Sequence, residues 1–144
     1  MERIVVGVDG SDTSRQALAW AVREAVTHGG RVEAVTTWHL PYPEMYPYGV
    51  IAVEDKQLHE RRAREVLDGV IDSTDTAGLA EPVDRIVASG HPASTLVDIA
   101  KGADLLVVGS RGRGGFAGLL MGSVSTYCVH HAGCPVLVVR SRED

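Results

Sequence analysis

The sequence predicts an α/β domain built on a parallel sheet with helices on both faces. Short Val-rich apolar runs recur along the chain, and between them lie longer segments with apolar residues at helical spacing. The order reads βαβαβαβαβ, and strands that alternate with helices pair in parallel. Several of the runs are apolar almost throughout, as strands covered on both faces are.

The first strand is Arg3-Ile4-Val5-Val6-Gly7-Val8. Thr13 with Gln16 reads as a capping box, and Ala17, Leu18, Ala21, Val22 and Ala25 then form one apolar stripe. Gly29-Gly30 stops that helix. Val32 to Thr37 is the second strand. The connection from Trp38 to about Val53 holds Pro41, Pro43, Pro47, Tyr42, Tyr46 and Tyr48, and reads as a lid, a partner surface or a plain connector. Leu58, Ala63, Val66, Leu67, Val70 and Ile71 form the second helical stripe. Its charges, Glu60, Arg61, Arg62, Arg64 and Glu65, read as a solvated face. Val83 to Ala88 alternates and suits a strand near the sheet edge. Pro92 suits the first turn of a short helix through Leu96, Val97 and Ile99, with Gly102 at its end. Asp104 to Gly109 is the fourth strand. Ser123 to His131 is the last helix, closed by Gly133, and Pro135 to Val139 is the last strand.

With 144 residues the chain has the usual size of one domain, taken as residues 1–144. Hydrophobic residues make up 44% and charged residues 23%, an ordinary soluble composition. A net charge of −5 speaks against nucleic-acid binding. No apolar run approaches the roughly 20 residues that span a bilayer, so no membrane partner is expected. Met1-Glu2-Arg3 runs straight into Ile4-Val5-Val6 without a signal peptide, and a cytoplasmic location is expected. Cys128 and Cys134 fit neither CxxC nor a zinc pattern and read as free thiols. His130-His131 suit a helix end, and His91 suits a turn; none of the histidines stands at metal-ligand spacing with a carboxylate or thiolate.

Residues 109–125 read GSRGRGGFAGLLMGSVS. Glycine weakens both helix and strand, so this density needs a cause. The segment starts where a buried strand ends. Open parallel sheets bind ligands there, at the point where strand order reverses. Gly109 and Gly112 would let the backbone turn sharply and approach a ligand. Gly122 and Ser123 open a helix whose free N–H groups and positive dipole end favour an anion, above all phosphate. Ser123 and Ser125 add hydroxyls. Arg111 brings charge, whereas Arg113 reads as a solvated loop residue. Ser110 is counted with the loop. GxxxxGK[ST] is absent, which excludes a P-loop NTPase. Gly112 to Ala117 matches G-x-G-x-x-A, but its helix opens late and no acid follows until Glu143, so a dinucleotide or flavin domain is not supported.

Gly109-x2-Gly112-x9-Gly122-Ser123 matches the G-2x-G-9x-G-[S/T] spacing, and here the chain resembles the ATP-binding subgroup of the universal stress protein family. Val8-Asp9-Gly10-Ser11, Gly90-His91-Pro92, Asp104 to Gly109 and Gly133 to Val139 resemble its other motifs at matching intervals. The resemblance implies an open five-stranded parallel sheet of order 3-2-1-4-5, the adenine nucleotide alpha hydrolase-like arrangement. Asp9 would then face Gly109 across the crevice and contact the ribose or a phosphate-bound Mg²⁺, with Gly10 and Ser11 along the wall. Asp9 acting only as a helix cap is the alternative. Adenine would lie near Thr37 and pack on Val108. Gly109, Gly112, Gly122, Ser123, Val124 and Ser125 would surround ribose and phosphates. Many members carry His-Val where this chain has Thr36-Thr37; backbone contacts tolerate that change.

The expected function is therefore ATP binding by a stress-response regulatory module. A slow ATP hydrolase is the second class, but the segment offers no dedicated lysine and no evident base. AMP or cyclic AMP fits the same crevice. The strand Pro135–Val139 is apolar up to Arg140 and would lie at a sheet edge, where pairing with a second copy gives a closed homodimer. The resemblance implies the same homodimer.

Overall fold

The structure, a computed structural model, describes residues 2–40, 53–112 and 121–141. The prolines and tyrosines of the 41–52 connection, Arg113 and the central glycines of the loop lie outside the described residues, as do residues 142–144. The elements are β1 (Arg3–Gly7), α1 (Asp12–His28), β2 (Arg31–Trp38), α2 (Val53–Asp72), β3 (Asp84–Ser89), α3 (Pro92–Ile99), β4 (Leu105–Gly109), α4 (Ser123–His131) and β5 (Val136–Val139). The five strands pair in the order β3-β2-β1-β4-β5, and every pairing is parallel.

Alternation along the strands builds two cores. Ile4, Val6, Val32, Ala34, Leu105 and Val107 face α1 and α2, where Leu18, Ala21, Leu67 and Val70 cover them. Val5, Val35, Leu106 and Val108 face α3 and α4, under Leu96 and Cys128. In β1 and β4 both parities are buried, which is why these strands read as unbroken apolar runs.

Two capping assignments change. The N-cap of α1 is Ser11, whose hydroxyl accepts from Ser14 N. Thr13 is the second residue of the helix and its hydroxyl is used elsewhere. At the other end of the molecule, α4 stops at Ala132 in extended backbone rather than at Gly133. Gly29, in contrast, closes α1 in the left-handed conformation (φ 77), where glycine is favoured. Leu58 belongs to the helical stripe of α2 by spacing but is 38% exposed.

The N-terminal strand ends are clamped. Arg3 Nε donates to both oxygens of the nearly buried Glu33 at 3.0 Å. The same guanidinium donates to the carbonyls of Ile99 at 2.7 Å and Lys101 at 3.0 Å. Asp104 accepts from the N–H groups of Arg3 and Glu2 at 2.9 and 2.8 Å. These two donors hold its carboxyl below the ordinary range. The clamp fixes β1, β2 and β4 relative to one another at one end and leaves their other ends to diverge.

Candidate functional site

The divergence makes the site. Register between β1 and β4 runs from Ile4↔Leu105 to Val6↔Val107. Beyond it β1 stays with β2: Gly7 pairs Val35, and Val8 N donates to Val35 O at 2.8 Å. The Thr36 hydroxyl donates to Val8 O at 2.8 Å and holds the same end. Meanwhile β4 stays with β5, as Val108 pairs Val138 and Gly109 pairs Val139. The sheet thus opens between its central strands at their C-terminal ends, where the chain order reverses. A cavity of about 490 Å³ fills the opening. Its place is the one that open α/β sheets give to ligands.

The cavity has two chemical halves. Gly7, Val35, Pro92, Leu96, Val108 and Val124 supply an apolar half, with Thr37 among them. A Cβ on Gly7 would stand 2.8 Å from Leu96 Cδ1, so glycine here lets the leucine seat against the strand. Asp9, Ser11, Ser14, Arg111, Gly112 and the start of α4 supply a polar half. An apolar wall beside a polar cradle suits a ligand with a ring at one end and charge at the other.

The start of α4 faces the polar half. Its N-cap is Gly122, in extended backbone, and among the described residues no side chain caps it. Gly122, Ser123, Val124 and Ser125 all line the cavity. The first N–H groups of a helix have no intrahelical partner, and together with the helix dipole they favour an anion. The helix start is itself firmly held. Gly122 N donates to Ser110 O at 2.5 Å, and Ser125 Oγ donates to the same carbonyl at 2.9 Å. The Ser125 hydroxyl proton is therefore committed to the chain, and the exposed Ser123 carries the hydroxyl that remains open to the cavity.

The glycines have a cause other than the expected sharp turn. Gly109, Gly112 and Gly122 do not use positive φ. Gly109 and Gly112 are glycines because of close approach. A Cβ on Gly109 would stand 2.8 Å from the Thr13 carbonyl carbon. One on Gly112 would stand 2.6 Å from Asp9 Oδ2. Among the described residues, one on Gly122 would meet only ordinary contacts, the nearest being Arg111 Cα at 3.4 Å. The first two positions let α1 and Asp9 reach the loop, and the third keeps the cavity wall clear.

Asp9 does not cap α1. Its Oδ1 accepts from Ser11 N at 2.9 Å and Ser11 Oγ at 2.5 Å, bracing the true cap. Its Oδ2 lies on the Gly112 side of the crevice. Of the residues expected in the site, Asp9, Ser11, Thr37, Val108, Gly109, Arg111, Gly112, Gly122, Ser123, Val124 and Ser125 line the cavity. Gly10 and Ser110 do not. Gly10 makes the turn (φ 86) between Asp9 and the cap. Ser110 is fully buried, and its carbonyl anchors α4. Gly7, Val8, Ser14, Val35, Pro92 and Leu96 also line the cavity and were not expected in the site. Val35 had a signal, since it stands two residues before Thr37 on the same strand face.

Among the described residues no cluster of three or more His, Cys, Asp or Glu could hold a metal. Burial pushes the Cys128 thiol up to about 11, so it is an inert core thiol. Among the described residues, no helix is long and apolar enough to cross a membrane.

A family model described as the universal stress protein family matches residues 1–140. The chain belongs to the universal stress protein family. A universal stress protein of Mycobacterium tuberculosis is 38% identical over 138 residues, 95% of this chain and 45% of the relative. The chain spans about half the length of the curated relatives it matches. Among solved structures, UspA from Lactobacillus plantarum superposes with a TM-score of 0.77 at 26% identity, covering 96% of this chain and 97% of that one. A universal stress protein in complex with cAMP has a TM-score of 0.69 at 25% identity over 96% of each chain. The universal stress protein from Archaeoglobus fulgidus in complex with dAMP has a TM-score of 0.66 at 26% identity, over 96% and 98%. The sheet order 3-2-1-4-5 expected from the sequence is the one found here.

Proposed function

We propose that this universal stress protein binds an adenine nucleotide in the crevice between β1 and the glycine segment after β4, with ATP as the ligand. The base occupies the apolar half near Thr37 and Val108, and the phosphates lie at the start of α4. The carrying observation is the uncapped α4 terminus on the polar wall of a cavity whose other half is apolar. The cAMP and dAMP complexes of the two structural relatives support the adenine end. For the triphosphate, the support is the Gly109-Gly112-Gly122-Ser123 spacing and the Arg111 charge.

Asp9 fits a Mg²⁺ shared with the phosphates. Mg²⁺ is commonly held by one or two carboxylates together with substrate phosphates, and Oδ2 of Asp9 lies beside Gly112 of the phosphate wall. The metal would neutralise the charge between carboxylate and phosphate.

The protein acts as a regulatory binding module. Hydrolysis needs a group that orients water and a group that neutralises the γ-phosphate. Among the described residues no lysine lines the cavity, and the only carboxylate that does is Asp9. A monophosphate or cyclic nucleotide is the second reading, favoured by the ligands of the two relatives. The active unit is a homodimer formed through β5.

Titration calorimetry with ATP, AMP and cAMP tests the reading. ATP is expected to bind in the micromolar range. Phosphate release with saturating ATP and Mg²⁺ is expected near background. Absence of binding by all three nucleotides contradicts the crevice assignment, and turnover on the order of 1 s⁻¹, the ordinary enzyme range, contradicts the binding-module assignment.

A further inference from the structure

We infer that Thr13 is a positioning residue whose hydroxyl sets which way the Arg111–Gly112 peptide faces, presenting an N–H instead of a carbonyl to a bound anion. This rests on the reading of the crevice as a phosphate site.

Thr13 sits in the first turn of α1 and is only 6% exposed. Its hydroxyl donates to the carbonyl oxygen of Arg111, on the opposite wall of the crevice. Ser11 Oγ also lies near the Thr13 hydroxyl, at 3.5 Å, and its own proton goes to Asp9 at 2.5 Å. The close approach at Gly109 brings the Thr13 backbone up against the end of β4, so the hydroxyl meets the loop without reaching.

The described peptides contain no cis bond. In a planar trans peptide the C=O and the N–H point in opposite directions. Fixing the Arg111 carbonyl on Thr13 therefore turns the Gly112 N–H away from α1. Gly112 N lies 3.5 Å from where a Cβ on Gly122 would stand, next to the uncapped start of α4. The Gly112 N–H thus joins the helix-start N–H groups on one wall. With the hydroxyl gone, the Arg111 carbonyl loses its donor from α1, and the peptide, which carries a glycine on one side, turns more easily. Rotation would bring the carbonyl oxygen to the phosphate side, where it repels an anion.

Thr13→Val keeps the side-chain shape and removes the donor, while Thr13→Ser keeps the donor. Calorimetry with ATP and with adenosine, and trypsin cleavage after Arg111 in the ligand-free protein, test the inference. Thr13→Val is expected to lower ATP affinity roughly tenfold, the size of one buried hydrogen bond. Adenosine affinity should stay unchanged, cleavage after Arg111 should speed up, and Thr13→Ser should behave as wild type. Unchanged ATP affinity in the valine variant overturns the inference. An equal loss for adenosine overturns it too, because that is general damage to the site. If wild-type protein binds neither ligand, the nucleotide reading has failed. The cleavage rates then decide alone: faster cutting of Thr13→Val supports the latch, and equal cutting removes it.

Discussion

Gly122→Val is expected to abolish ATP binding while the fold stays native. The position has extended backbone (φ −81, ψ 176), which any residue adopts. Among the described residues a Cβ there meets nothing closer than 3.4 Å. The chain itself therefore tolerates the side chain, and the valine methyl groups project at the cavity wall where the phosphates are placed. Losing access to the helix-start N–H groups removes several charge-assisted hydrogen bonds at once, each worth about 1.5–3 kcal/mol. A loss of this size takes a micromolar ligand beyond the range of calorimetry. Circular dichroism should be unchanged. Wild-type affinity in this variant would show that the phosphates do not lie at α4.

The second large effect concerns assembly. Val138→Pro is expected to split the homodimer. Leu106 N donates to Pro135 O at 2.9 Å, and Ser110 N donates to Val139 O at 2.8 Å. Odd-numbered residues of β5 thus bond to β4, so Val136 and Val138 turn their N–H and C=O groups to the open edge. Val136, Leu137 and Val138 are only half-buried within one chain. An apolar strand edge of this kind is a template for pairing, and a two-fold axis closes it antiparallel with a second copy. Proline at position 138 removes an edge donor and leaves the β4 ladder intact. Sedimentation should show a dimeric wild type and a folded monomeric variant. A wild type that stays monomeric at high concentration, or a variant that stays dimeric, contradicts the edge-pairing account.

The strands and helices were legible because their causes are local. Both parities of β1 and β4 are apolar since both faces are covered, and Gly29 marks a helix end by its own conformation. The strand order is not a local property. It came through the motif spacing shared with a family, and the register bears it out. What sequence reasoning missed depends on partners far along the chain. Thr13 looks like a cap because hydroxyls near a helix start commonly are caps. Its real partner is 98 residues away, and a hydroxyl two positions earlier takes the cap. Gly109 and Gly112 line the crevice as expected, but the close approach of protein atoms to them was not foreseen. Turning is a property of the glycine, whereas the close approach of Thr13 and Asp9 is a property of the fold. Gly7 and Leu96 were missed for the same reason: each makes sense only against the other. Leu58 keeps helical spacing, yet spacing does not say where the covering surface ends.

The central claim is that phosphate binds at the start of α4 and the base at the apolar half of the same crevice. Amide NMR of the ¹⁵N-labelled protein titrated with ATP, and then with adenosine, tests it most directly. ATP should move the amides of Gly112, Ser123, Val124 and Ser125 together with those around Thr37 and Val108. Adenosine should move the second group and leave the first nearly in place. Shifts confined to another face of the molecule, or equal shifts of the α4 amides by adenosine and ATP, would contradict the account.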